Sequence, residues 1–489
     1  MSTQNLVMIL VIMVKLLTAG LLLVLRKPLY RFAKWISLFT CLSSLILFLT
    51  AINNLKSGGG APLNFDYIPL MGIQFSLKID WLAFPFLLTE EFVTIAAIIY
   101  AMDYIKTDKN SHAFYALLLV FSAGMSGTTL ANDIFLFYFF WELMLIASSL
   151  LVLNWGDSPR KGEVTLKYFI ITHLGSLLVL VAFIMIYTQT GVDDFSAIKT
   201  GLQAIPDQIP LIGSLFLLGF GVKMAVVPFH IWLPDTHSEA PMPVTIMLAA
   251  AMLSMGTYGI LRFPMSSLSM QQFAMFSLPM MIVGVISEIY GGIMALVEND
   301  IKRIIAYSSV SQMGYILFGL GTLTYSGVVG ATLHVIYHAV VKALLFCCVG
   351  WIIKAAGQRD IQSIGGLHKK EPLLTACMII GGLSISGTPA LAIFNSEWMI
   401  FSSGFQTGYT GLAILEILGS IMTAAYVLRF IGKIFFTSPD KATETKKIPF
   451  SIKFATVSLT ILTILAGIFP KPLFNSVVNE LPLILGGQW

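Results

Sequence analysis

The side chains of this chain that can do chemistry are titratable groups set inside long apolar runs. Glu142 stands in DIFLFYFFWELMLIASSLLVL with no charged residue within a helical turn. Lys223 stands in LFLLGFGVKMAVVPFHIWLPD, five residues before Pro228, whose missing amide hydrogen frees a carbonyl of the helix for water or a side chain. His334, His338 and Lys342 recur at i, i+4 and i+8 in LHVIYHAVVKALLF, so all three share one helix face over two turns. Glu397 follows a second interrupted stretch, SISGTPALAIFNSEWMIF, broken by Gly387 and Pro389. A charge at the centre of a bilayer costs about 2.5–3.5 kcal/mol on insertion scales, so each of these groups needs a partner, water or a proton. Glutamate, lysine and histidine take and give protons, and a lysine withdrawn from water can release its proton to a neighbour. The chemistry indicated is ion translocation, with Glu142, Lys223, His334, His338, Lys342 and Glu397 as the working set.

Other ionisable groups within or beside apolar runs are accessory candidates: Glu90, Glu91, Glu288, Glu416 and His230. Glu90 and Glu91 are adjacent, and one of them is expected to face a neighbouring subunit; Glu288 and Glu416 either line a cation path or pair locally. Lys15 is mid-run and isolated, awaiting a partner from a neighbouring helix or subunit. Lys167, Arg429 and Lys453 lie where a long side chain can snorkel to the interface. H-x3-H is also a metal-ligand spacing, but no HExxH or third ligand accompanies His334 and His338, and Lys342 opposes a cation, so no metal site is expected. Cys41, Cys347, Cys348 and Cys377 lie in apolar surroundings without CxxC spacing and read as packing residues.

The elements that position these groups must be membrane helices. The chain has 489 residues, 57% hydrophobic and only 11% charged, where soluble domains carry about 25% charged residues. A membrane-spanning helix takes about 20 residues, and Gly, Pro and charge punctuation divides the chain into fourteen: about 4–25, 36–53, 80–102, 112–131, 133–153, 165–187, 211–232, 242–262, 274–297, 303–322, 327–352, 373–402, 409–433 and 451–469. We number these spans 1 to 14. The first lacks the basic leader and cleavage site of a signal peptide and is expected to be retained. Basic residues test the enumeration, because loops on alternate sides should differ in Lys and Arg. One side collects Arg26, Lys27, Arg31, Lys34, Lys106, Lys109, Arg160, Lys161, Lys302, Arg303, Lys354, Arg359, Lys369, Lys370, Lys433, Lys441, Lys446 and Lys447, and the other only Lys56, Lys78, Lys199, Arg262 and Lys471. An unbroken bias over an even number of spans puts both termini outside. The net charge of +4 is not gathered into blocks, which argues against nucleic acid as a partner. The chain carries no GxxxxGK[ST] loop, no GxGxxG after a strand and no cysteine cluster, so energy must come from an ion gradient or a partner.

The interrupted spans 7 and 12 suggest two structural repeats, spans 4–8 and 9–13. The expected fold is an all-α polytopic membrane protein organised as residues 1–111 (spans 1–3), 112–262 (first repeat), 263–433 (second repeat) and 434–489 (span 14).

FYFFWELMLIASSLLV, VKMAVVPFHIWLPDTHSEAP, NDIKRIIAYSSVSQMGYIL, LHVIYHAVVKALLF, FNSEWMIF and TAAYVLRFIGKIFF together carry a resemblance over nearly the whole chain. The chain resembles the antiporter-like subunits shared by respiratory complex I, Mrp-type cation/proton antiporters and membrane-bound hydrogenases. The resemblance implies two inverted five-helix repeats, broken helices 7 and 12, and a hydrated charge axis along the membrane midplane. It implies that Glu142 and Lys223 are a coupled pair whose approach and separation drive proton transfer, that His334, His338 and Lys342 continue the axis, and that Glu397 is its terminal site. Two positions depart from the pattern. Ser254 stands where relatives often carry a lysine in span 8, and Gln312 where they often carry a histidine in span 10. The chain also stops at Trp489 without the lateral helix of distal complex I subunits, which points to a middle or proximal place.

The implied function is a non-redox, ion-translocating subunit of a multi-subunit membrane oxidoreductase in a prokaryotic cell (inner) membrane, moving protons or exchanging protons and sodium. Its expected partners are other antiporter-like chains and small multi-span subunits. The chain itself holds no cofactor; iron-sulfur or nickel-iron centres would sit in partner subunits. The alternative is a subunit of an Mrp-type Na+/H+ antiporter driven only by ion gradients. A scaffold that has lost transport is a third reading, opened by Ser254 and Gln312. A lipid- or quinone-directed enzyme is weaker, since no nucleophile and base stand together.

Overall fold

The computed structural model describes residues 3–25, 29–55, 62–68, 73–108, 110–437 and 445–484. Arg26, Lys27, Lys56, Lys109, Lys441 and Trp489, used in the sequence reading, lie outside them. Among the described residues thirteen helices are long and apolar enough to cross a membrane, from Thr3–Val24 to Phe450–Ile468. The fourteenth span is the broken span 12. Placed over 373–402 as an interrupted span, it consists of Pro372–Ile385 and Phe394–Gln406, separated by a non-helical turn. Helices are what a lipid solvent permits, because each satisfies its own backbone groups. Spans 8 (Met242–Met265) and 10 (Ile301–Gly321) are buried along their apolar length and span 11 (Tyr325–Ala356) nearly so, while spans 1, 2, 6, 13 and 14 surround them. The outer face of span 6 shows Leu166, Ile170, Leu174 and Ile184, an all-apolar stripe suited to lipid.

Two local signals build the repeats. Asp133 caps span 5 (Ile134–Trp155), accepting from Leu136 N at 2.7 Å, and Asp300 caps span 10, accepting from Lys302 N and Arg303 N. Each also forms an isolated β-bridge with an aspartate after the next span, Asp133 with Asp194 and Asp300 with Asp360. The same motif thus recurs at corresponding places in the two sets of five spans. Five is odd, so the second set starts on the opposite side of the membrane from the first. Spans 7 and 12 repeat the correspondence as broken helices. Span 7 runs Ile209–Met224, ends on left-handed Ala225 (φ 56°), and resumes as a short turn and helix to Glu239. Span 12 breaks over Gly387 (φ 66°) and Ala390 (φ 69°). A left-handed residue is a common way to end a helix, and glycine takes that conformation at little cost.

Two features were not foreseen. A two-stranded antiparallel hairpin, β1 (Leu63–Ile68) and β2 (Ile73–Leu77), lies between spans 2 and 3, and Ser76 N donates to the Asp133 carboxylate. Two short helices, Phe195–Gln203 and Lys471–Ile484, flank the spans; the first buries Ile198 and Leu202.

The two-sided sorting of loops holds. On the basic side, Lys302 meets Asp157 at 2.8 Å, Arg359 meets Asp300 at 3.5 Å, and Lys354 reaches Asp103 O at 3.1 Å. These contacts join the loops after spans 3, 5, 9 and 11. Glu298 accepts from Arg303 at 2.8 Å. Burial pushes the Glu298 carboxyl up, but the Arg303 hydrogen bond and the amides of Asn299 and Asp300 outweigh it and hold it below the usual range. On the other side, Arg262 forks onto Asp80 at 2.6 and 2.8 Å, tying the loop before span 3 to the end of span 8. Burial raises Asp80, yet the Arg262 charge and hydrogen bonds bring it below its ordinary value.

A carboxyl held low contributes stability that is complete above its unfolded value and is lost as pH falls through the folded one. Thermal unfolding of the solubilised protein should therefore be insensitive to Asp80 above about pH 4. Asp80→Ala, which leaves the Arg262 guanidinium buried and unpaired, should cost about 3–5 kcal/mol.

Candidate functional site

The axis begins among spans 5, 6 and 7. Glu142 does not touch Lys223. Its Oε2 instead pairs with Nδ1 of His173 on span 6 (Lys161–Thr190) at 3.0 Å, and its Oε1 has no partner. His173 is 37% exposed on the outer wall, so Glu142 is turned outward. Lys223 is buried, with Nζ making no hydrogen bond, and sits 5.0 Å from the centroid of the Trp141 ring. Trp141 is fixed in turn by its Nε1, which donates to Ser176 Oγ at 3.0 Å. The face of an indole attracts a cation without neutralising it. Glu142 and Lys223 are therefore not bonded to each other in this structure. Spans 6 and 7 can cross closely here because of Gly175 and Gly219; a Cβ on Gly219 would lie 2.6 Å from Gly175 O.

Behind Lys223 the break in span 7 supplies the next groups. Trp232 Nε1 donates to Val222 O at 3.0 Å, and Val227 N to Ser287 Oγ at 2.9 Å, so side chains answer backbone groups that the break leaves free. His237, on the resumed helix, is fully buried between Trp232 and Phe346, has neither ring nitrogen bonded, and lies within electrostatic reach of Lys342. Ser254 bonds its own helix, Oγ to Ala251 O at 2.5 Å.

In the second half of the candidate axis the contacts fall into separate groups, and His338 is fully buried without a partner on either nitrogen. Lys342 Nζ donates to Ile305 O at 3.1 Å and to Ser308 Oγ. His334 bonds Gln312 Oε1 through Nε2 at 3.0 Å and Ser396 Oγ through Nδ1 at 3.2 Å, and its ring stacks on Tyr315. Ser396 immediately precedes Glu397 in the chain. Gln312 is thus a link to His334 rather than a gap. Glu397 packs on Gly387, where a Cβ would lie 1.8 Å from Oε2, and its Oε1 has no partner. The glycine that breaks span 12 is also the one that admits the carboxyl.

With this geometry in place, the comparisons decide the lineage. The family described as "NADH:quinone oxidoreductase/Mrp antiporter, TM" matches residues 131–423. The chain belongs to that family. NADH-quinone oxidoreductase subunit M of Escherichia coli K12 is 31% identical over 468 residues, 91% of this chain and 90% of that one. F(420)H(2) dehydrogenase subunit M of Methanosarcina mazei is 31% identical over 455 residues, 90% of each chain. Among solved structures, an archaeal membrane-bound sulfane sulfur reductase complex contains a chain that is 28% identical with a TM-score of 0.86, covering 96% of this chain and 77% of that one. A chain of the Mrp complex from a Dietzia species gives a TM-score of 0.90 at 21% identity, over 100% of this chain and 98% of that one, which establishes the shared fold. This is a multi-pass membrane protein and an antiporter-like, ion-translocating subunit of the complex I kind.

In this family member the remaining candidates fall away from the axis. Glu90 and Glu91 do not face outward: both are fully buried and meet Lys15, which is not isolated, at 3.4 and 2.8 Å. Ser122, Ser126 and Thr94 donate to Glu90, and Ser44 to Glu91, leaving only Glu91 Oε2 unanswered. Glu288 and Glu416 lie within electrostatic reach of each other, and none of their four oxygens makes a hydrogen bond. His230 packs edge-on to Tyr290, 4.7 Å between ring centroids. Lys167 and Arg429 are bonded rather than snorkelling, Lys167 to Asp235 at 2.7 Å and Arg429 to Glu298 O at 2.9 Å, and Lys453 lies over Trp351. Among the described residues no three His, Cys, Asp or Glu side chains are arranged to hold a metal ion.

Sequence reasoning missed His173 and His237. A histidine inside FIITHLGSLL was signal enough for the first; DTHSEAP, which reads as a polar loop, hid the second. Lys15→Met, which strands two carboxylates, should lower stability by about 3–5 kcal/mol in thermal unfolding. Glu91→Gln should cost far less, since one of its oxygens already lacks a partner.

Proposed function

We propose that this chain moves protons, alone or in exchange for sodium, within a redox-driven membrane complex. The observation that carries the proposal is the open pair: Lys223 buried with no hydrogen-bond partner while Glu142 is bonded to His173. A buried ammonium without a partner is costly, so the state it favours is one that passes its proton on. When Glu142 swings from His173 to Lys223, the lysine keeps its charge; when it swings back, the proton leaves toward His237, Lys342, His338 and His334, and Glu397 accepts and releases it. Water completes the segment beside Ser254, where the protein offers a hydroxyl but no titratable group. The supporting contacts are those of His334 with Gln312 and with Ser396, the residue before Glu397.

The working partners are further membrane subunits, including related antiporter-like chains and small multi-span chains. Iron-sulfur or nickel-iron centres belong to partner chains, as the oxidoreductase names of the relatives suggest. The site is the cell (inner) membrane of a prokaryote, with both termini outside and the domain limits given above.

Purification of the native complex with identification of its other chains and metal content tests the setting. Redox partners support this reading; a set of multi-span chains without redox centres makes the protein part of a gradient-driven antiporter. In reconstituted vesicles, Lys223→Ala should reduce ion translocation by about a hundredfold or more, with electron transfer continuing if redox partners are present. His173→Ala should change the rate with which the pair opens and closes, seen as a smaller loss of translocation with assembly intact. Unchanged translocation in Lys223→Ala would exclude the axis.

A further inference from the structure

Glu288 on span 9 (Met270–Val297), Glu416 on span 13 (Thr410–Phe436) and Glu397 on span 12 are three buried acids within electrostatic reach of one another. Glu288 and Glu416 are completely buried and Glu397 is 3% exposed. All four carboxyl oxygens of Glu288 and Glu416 lack hydrogen-bond partners, and none of the three acids enters an ion pair among the described residues. The packing holds them there. A Cβ on Gly419 would lie 1.7 Å from Glu288 Oε1, and a Cβ on Gly314 would lie 2.6 Å from the Glu288 backbone nitrogen. Glycines on spans 10 and 13 therefore make the slot that Glu288 fills.

A second observation is independent of the acids. The hydroxyl of Tyr315 on span 10 is fully buried, has no hydrogen-bond partner, and faces Glu288, Glu397 and Glu416. The hydroxyl of Tyr426 on span 13 lies beside Thr423 and Ser308 and within electrostatic reach of Glu397 and Glu288. Both hydroxyls are donors within electrostatic reach of these acids. Three buried carboxylates without a counter-cation repel one another and cannot all be ionised. A metal ion is disfavoured because the side chains do not form a three-ligand set.

We propose that Glu288 and Glu416 form a carboxyl pair that holds one proton between them and exchanges it with Glu397, a branch of the axis toward the wall made by spans 9 and 13. In the resting pair one carboxyl is protonated and its O–H donates to an oxygen of the other. Transfer to an ionised Glu397 moves one proton, leaving Glu397 neutral and both members of the pair charged, with the hydroxyls of Tyr315 and Tyr426 donating to the new charge. Return reverses the step, and no other reactant is consumed. The inference rests on the proposed function only for the role of Glu397 in translocation.

The test is infrared spectroscopy of the purified native complex in sodium-free buffer, titrated in pH and exchanged into deuterated water. The expected result is a protonated-carboxyl carbonyl band at neutral pH that shifts in deuterated water. Glu288→Gln and Glu416→Gln should each remove it, and the double variant should remove no more. If a Gln variant fails to assemble, as judged by native electrophoresis, Glu416→Asp is used, and its shorter reach should shift the band. A band unchanged in these variants overturns the proposal. So does loss of the wild-type band on adding sodium, which would make the site a monovalent-cation site. Lys223→Ala serves as the control: retention of translocation in it removes the proposed function while leaving the carboxyl pair standing if the band persists.

Discussion

The structure depends on one constraint, that a charge withdrawn from water must be answered. Some charges are answered fully. Lys15 has two carboxylates and a serine hydroxyl, Arg262 has both oxygens of Asp80, and Lys302 has Asp157 and two backbone carbonyls. These close helix to helix and bridge loop to loop. Others are left open: Lys223 and His338 have no partner, and one oxygen of Glu142 and one of Glu397 face none. Satisfied groups fix geometry, and unsatisfied ones hold chemistry. The same residue types serve both ends, and only their neighbours tell them apart.

The open groups sit where the helices fail. A continuous helix has no backbone polarity to offer, since its amides and carbonyls are paired along its length. Spans 7 and 12 give that up at Ala225 and at Gly387 to Ala390, and the break in each is followed by a titratable group, His237 in one and Glu397 in the other. The aspartate caps at Asp133 and Asp300, with their bridges to Asp194 and Asp360, tie the starts of spans 5 and 10 to the segments that follow spans 6 and 11.

Much of this is readable in the residues because the bilayer constrains so strongly. Span number, the sides of the loops, the breaks at Pro228 and Pro389, and the axis residues follow from apolar length and from charges that have no business in lipid. What could not be read is pairing. Lys15 and Glu91 are 76 positions apart, and nothing local tells that they meet. The same holds for Glu142 with His173, where the expected partner was Lys223. The hairpin at residues 63–77 was passed over because short strands between membrane helices carry no comparable hydropathy signal.

The His173 ring, half in the wall of the molecule, gives the fold a boundary condition. The strength of its bond to Glu142 is set by the medium against span 6, and that medium differs between hydrocarbon, water and the side of another protein. A neighbour that dries or hydrates this flank changes how readily Glu142 lets go, with no contact to Lys223 itself. The outer surface of the subunit thus reaches, through a single ring, a carboxylate of the interior.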